Sequence, residues 1–193
     1  MIEKEINIGK LKILGQKCDE SDNADLYSLF NSWLSFKNLS KKFRQRANLP
    51  ESLTELIVTK HSSEIYRKIK VLKPAKGIKT KFDCYDEAEK KFVEVKGCSV
   101  SNDLTSFSPK PYFDYFCLVD FSSLDGKYKV YKININSEEI MNIKINSTET
   151  FRDQAEKSSS GGKRRPHFSI YETFINKKKY CEGSPTFEGS LIN

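Results

Sequence analysis

Histidine is almost missing from this chain of 193 residues: His61 and His167 are the only two. That shortage argues against nuclease chemistry built on histidine pairs. The five cysteines, Cys18, Cys84, Cys98, Cys117 and Cys181, are odd in number, widely spaced and contain no Cys-x-x-Cys. With so few nitrogen ligands beside them, the pattern argues against a structural zinc site too, and reduced thiols in a cytoplasmic core are the plain reading. Glycine is sparse, at nine residues, and none forms the phosphate-cradling loop of an ATP-driven enzyme. No apolar run approaches the length of a membrane span. The start, Met1-Ile2-Glu3-Lys4-Glu5, lacks a secretion signal. These absences predict a cytoplasmic protein with no membrane partner and no small-molecule cofactor motif.

What is present is a globular composition with a local excess of positive charge. Hydrophobic residues make up 37% of the chain, enough for one domain with a sizeable core. The formal net charge is +7. Residues 60–81 carry Lys60, Arg67, Lys68, Lys70, Lys73, Lys76, Lys79 and Lys81 against Glu64 alone, and Lys163-Arg164-Arg165 forms a second cluster. Concentrated in this way, the charge suits the neutralisation of nucleic-acid phosphates.

Apolar periodicity predicts an amphipathic helix over 22–37, where Leu26, Leu29, Phe30, Trp33 and Leu34 recur at helical spacing as core residues. A basic segment with Lys41, Lys42, Arg44 and Arg46 follows. Pro50 near a first turn starts a second helix that carries Leu53, Leu56 and Ile57 and ends near His61. A further helix is expected over about 62–71. Candidate strands then follow at 78–85, 92–98, 115–121 and 127–135, with Asp125-Gly126 as the tight turn between the last two. Ser158 to Gly162 reads as a loop. The order of elements predicts an α/β fold around one mixed sheet.

The chemistry-bearing pattern is Phe82-Asp83 followed, eleven positions after Asp83, by Glu94-Val95-Lys96. Strand side chains alternate, so Glu94 and Lys96 share one face and Val93 and Val95 the other. Paired as a hairpin, the two runs bring Asp83 beside Glu94. Two carboxylates suit a hard divalent cation, and an ammonium beside them suits an attacking water. Glu-x-Lys also occurs on exposed strands as an ordinary solvated face. The apolar company of Phe92, Val93 and Val95 argues for burial here, where charges need a partner or a metal. Gly97 next to Lys96 permits a close approach of backbone or substrate.

Asp83 with Glu94-Val95-Lys96, on consecutive strands behind a helix, resembles the PD-(D/E)XK nuclease superfamily, with Phe82 where proline often stands. Residues 102–109 with Asp114 and Asp120-Phe121, residues 150–154 and residues 164–170 are similar to a small group of type II restriction endonucleases that cut GCNGC. The resemblance runs from about residue 49 to residue 171. The stretch 157–162 departs from it.

The resemblance implies a restriction-endonuclease-like core in one nuclease domain, a central mixed β-sheet flanked by α-helices. Its parts are an N-terminal helical part over 1–48, a catalytic core over 49–135 and a C-terminal part over 136–193 with the recognition segment. It implies Mg²⁺ held by Asp83, Glu94 and the Val95 carbonyl, with Lys96 acting on the water. It also implies a helix glutamate as helper, with Glu55 as first candidate and Glu51 as second. Expected DNA-binding residues are Asp103, Thr105, Ser106, Lys110, Lys163, Arg164, Arg165 and His167, reading bases or holding phosphates. The expected partners are double-stranded DNA, a second copy of the chain in a homodimer, and a companion DNA methyltransferase. Two other readings stand beside this one: a structure-selective repair nuclease with the same site, and a DNA-binding module in which the three charges are ordinary strand residues.

Overall fold

A computed structural model describes residues 1–100, 104–108, 111–156 and 166–192. Strands β1 (Ile2–Ile8) and β2 (Leu11–Lys17) lead into helices α1 (Asn23–Lys42) and α2 (Glu51–Lys60). Then come β3 (Ile65–Lys73), β4 (Cys84–Asp86), β5 (Lys91–Cys98), β6 (Leu104–Ser106), β7 (Tyr115–Asp120) and β8 (Lys127–Ile133). The short helix α3 (Phe151–Glu156) precedes β9 (His167–Ser169) and β10 (Phe187–Ser190). No helix among the described residues is long and apolar enough to cross a membrane.

Eight strands form one mixed sheet in the order β1-β2-β3-β4-β5-β7-β8-β10. Every pairing is antiparallel except β5 with β7. All six residues of β7 are buried, as expected of a strand covered on both faces. Its side chains alternate between two cores. Cys117 and Val119 join Val93 and Val95 against Leu26, Phe30, Trp33, Leu53 and Ile57 of the helices. Phe116 and Leu118 face Phe107, Phe151, Phe168 and Phe174 on the other side. A third cluster, with Ile6, Leu11, Ile13, Tyr66 and Phe82, closes the end of the sheet near the N-terminus.

The first two helices form as their periodicity predicts, and Trp33 and Phe30 are core residues. Two expectations fail. Residues 62–71 are not a helix, because β3 occupies Ile65–Lys73. Ile65, Tyr66 and Val71 favour a strand, and the segment pairs with β2 on one side and β4 on the other. The N-terminal part expected to be helical opens instead on strands: residues 2–17 form a hairpin turning at Gly9 and Lys10, with Gly9 at a φ of 59°. A glycine in a two-residue loop between alternating apolar runs is its sequence signal. The strand expected over 78–85 shortens to Cys84–Asp86. Asp125-Gly126 does turn β7 into β8, with Gly126 at a φ of 82°. The five cysteines are free thiols, and burial pushes Cys18 up to about 11 and Cys117 up to about 12.

Candidate active site

Asp83 sits just ahead of β4 and is sewn to its neighbours on both sides. Its N–H donates to the Val93 carbonyl at 3.2 Å, and its own carbonyl accepts from Lys68 N–H at 2.9 Å. Its side chain continues the ladder that the backbone leaves off, since Oδ2 accepts from Val95 N–H at 2.8 Å. A strand residue presents its N–H and C=O to the same edge. The Val95 carbonyl therefore faces the edge where Asp83 lies, beyond the end of β4.

Glu94 is 3% exposed and projects with Lys96 from the face opposite Val93 and Val95. One of its oxygens is paired with the Lys96 ammonium. The other, Oε2, is buried without a hydrogen-bond partner. Burial pushes the Glu94 carboxyl well up; Lys96 pulls it down and the Asp83 charge pushes it up again. Lys96 is held from a second direction, with its Nζ 5.2 Å from the Phe107 ring centroid.

These groups open on a cleft of about 500 Å³. Asp83, Glu94, Val95 and Lys96 line it together with Glu51 of α2. Thr105, Ser106 and His167 line it as well. They lie far apart in the chain and meet because β6 pairs with β9, setting Ser106 opposite His167 and Thr105 opposite Phe168. Asp103, Lys110, Lys163, Arg164 and Arg165 lie outside the described residues.

Glu55 does not reach the cleft lining. It is buried behind Asp83 and paired with Arg67 of β3. Burial pushes its carboxyl up to about 7, against the pull of Arg67. One helical turn earlier, Glu51 is the α2 carboxylate that lines the cleft. Gly97 serves packing: a Cβ there would lie 2.6 Å from Thr54 Cγ2 and 3.2 Å from Leu49 Cδ1, so its absence lets α2 sit tightly on β5.

Several participants carried no signal that set them apart from their neighbours in the sequence. Lys68 is one of eight cations in its run, yet its Nζ donates to the carbonyls of Thr80 at 2.6 Å and Phe82 at 2.5 Å. It thereby clamps the segment that delivers Asp83, and burial pulls its ammonium down from the usual range. Arg46, Asn48 and Ser99 also line the cleft.

The donor set suits a hard divalent cation. It offers two neighbouring carboxylates, one with a buried oxygen lacking a partner, and a carbonyl facing the same edge. Among the described residues no group of three or more His, Cys, Asp and Glu side chains could hold a metal ion. Mg²⁺ needs less, since one or two carboxylates usually share it with water and a substrate phosphate.

Comparison with known proteins bears on this arrangement. The family model described as Bsp6I restriction endonuclease matches residues 18–177. The chain is 28% identical over 162 residues to the type II restriction enzyme Bsp6I of Bacillus sp. (strain RFL6), covering 82% of this chain and 84% of that protein. No solved structure matches the chain significantly.

Proposed function

Since this chain belongs to the Bsp6I restriction endonuclease family, we propose that it is a type II site-specific deoxyribonuclease of the PD-(D/E)XK kind. It hydrolyses phosphodiester bonds of double-stranded DNA with Mg²⁺. The observation that carries this reading is the partnerless buried oxygen of Glu94 beside Asp83, with Lys96 at its side. A carboxylate oxygen taken out of water without a partner is costly. A bound cation removes that cost.

Asp83, Glu94 and the Val95 carbonyl would hold the ion. When bound, Mg²⁺ supplies a Lewis acid beside the phosphate and lowers the pKa of water. Asp83 needs no reorganisation to bind it, because the Val95 N–H already fixes its carboxylate. Lys96 is released from Glu94 and turns its ammonium to the attacking water and the charge that gathers on phosphorus. Water adds to phosphorus and gives up a proton to solvent, the bond to the leaving oxygen breaks, and a solvent proton completes that oxygen. Glu51 lines the cleft and orients water there. Glu55 acts indirectly, through Arg67 and the field at Asp83.

Thr105, Ser106 and His167 border the same cleft and contact the DNA next to the cut. Asp103, Lys110, Lys163, Arg164 and Arg165 join the contact set, with arginine and aspartate suited to guanine and cytosine. The target is a short GC-containing palindrome such as GCNGC. A palindrome calls for a two-fold homodimer. A companion methyltransferase protects the host's own sites, and the enzyme works in the cytoplasm.

The test is digestion of unmethylated plasmid with and without Mg²⁺, beside Asp83→Asn. Discrete fragments that require both the metal and Asp83 are expected, and their ends give the site. A metal-dependent smear would favour a structure-selective nuclease. No cleavage of methylated or unmethylated DNA would leave a binding module.

A further inference from the structure

Residues 41–46 carry Lys41, Lys42, Arg44 and Arg46 with no acidic residue among them. All four cations are exposed. The stretch runs directly into the cleft, since Arg46, Ala47, Asn48 and Leu49 form part of its wall.

The way α1 ends is the second observation. Gln45 N–H donates to the Ser40 carbonyl at 3.0 Å and Arg44 N–H to the Lys41 carbonyl at 3.1 Å, a Schellman closure. Arg44 therefore sits at the position where glycine is favoured, at a φ of 55°. Of the described non-glycine residues with positive φ, it is the one within two residues of the cleft wall. A helix stop alone is better served by glycine. Strain of this kind is retained where the side chain has work to do.

We propose that residues 41–46 form a phosphate-gripping tract that holds the DNA backbone where the duplex flanks the cleft. This rests on the nuclease reading above and adds a contact surface outside the catalytic residues and the base-reading segments. The same helix end exposes Phe36, Leu39 and Phe43, at 56%, 52% and 68%. These apolar side chains suggest a second copy of the chain as a rival occupant. Charge decides against it: a two-fold contact here would set four cations against the same four, whereas a duplex neutralises them.

The experiment is binding of a fluorescent mixed-sequence duplex of about 30 base pairs in chelator, titrated from about 50 to 200 mM salt. Wild type, Arg44→Gly, Lys41→Gln/Lys42→Gln and the rescue Lys41→Arg/Lys42→Arg are compared. The slope of log affinity against log salt is expected to flatten by about 1 for Arg44→Gly and about 2 for the double glutamine variant. The arginine pair keeps the wild-type slope. Arg44→Gly should at the same time raise Tm by about 2 °C, because it relieves the left-handed strain. A purely structural arginine cannot give that combination of weaker binding and a firmer fold.

Wild-type slopes in both Arg44→Gly and the glutamine pair would overturn the tract. So would failure of the wild type to bind the duplex, or variants that lose a dimer on a sizing column while keeping the wild-type slope. The assay involves no cleavage. A wild type that binds with these slopes yet never cuts in Mg²⁺ leaves the tract standing and removes the nuclease reading.

Discussion

Replacing Glu94 with glutamine should make the metal-free protein more stable while ending cleavage. Burial lifts the Glu94 carboxyl from 4.5 to about 7, and the pull of Lys96 only partly offsets it. A carboxyl whose folded value lies above its unfolded one binds its proton more tightly in the folded chain. Stability therefore falls as pH rises from about 4.5 to about 7 and is level above that. Such a shift corresponds to about 3 kcal/mol of cost for the ionised form. A glutamine carries no such cost, and its amide donates to the Asp83 carboxylate next to it.

At pH 8 the variant should then exceed wild type by about 3 kcal/mol, which is about 6–12 °C in Tm for a chain of this size. At pH 5, where Glu94 is already protonated in the fold, the gain should shrink to about 1 kcal/mol or less. Saturating Mg²⁺ should raise the Tm of wild type at pH 8 and leave that of Glu94→Gln unmoved. Thermal melts at the two pH values, each with chelator and with Mg²⁺, measure all four quantities. A variant no more stable than wild type at pH 8, or equally stabilised at pH 5 and pH 8, would refute the argument from the partnerless oxygen.

Other perturbations probe the surroundings. Arg67→Ala strips the partner from buried Glu55 and should cost about 2–3 kcal/mol at pH 8. The loss should shrink towards pH 5 as Glu55 takes up a proton, read from urea unfolding at both values. Gly97→Ala drives a Cβ into Thr54 Cγ2 and should destabilise by about 1–3 kcal/mol. Adding Thr54→Ser, which removes that methyl, should recover a large part of the loss; no recovery would refute the clash. Lys96→Met should slow single-turnover cleavage on the order of 10²–10³-fold while duplex affinity in chelator stays within a few-fold. An equal loss in both would recast Lys96 as a phosphate anchor.

Much of the candidate active-site edge is legible in the sequence because it depends on periodicity over a few residues. Alternation along 92–98 alone puts Glu94 and Lys96 on one face and Val93 and Val95 on the other, as the structure has them. The spacing of Leu26, Phe30 and Trp33 likewise fixes the buried stripe of α1. Local pattern is weaker where a segment's state depends on distant partners. Residues 65–73 become a strand because β2 and β4 satisfy both of its edges.

The choice between Glu51 and Glu55 shows the same division. Both stand on α2 at positions that a sequence cannot tell apart. The packing of α2 on β5 and the placement of Arg67 then send Glu55 into a buried ion pair and leave Glu51 in the cleft. Thr105 and Ser106 meet His167 only through the pairing of β6 with β9, and Lys68 reaches Thr80 and Phe82 only through β3. The order of residues is enough to say which of them can carry charge and which faces they share, since covalent geometry sets the period of a strand or helix. Which charges lose their water, and which side chain meets them, follows only from the folded packing, because desolvation and pairing belong to the whole packed chain and to no single segment of it.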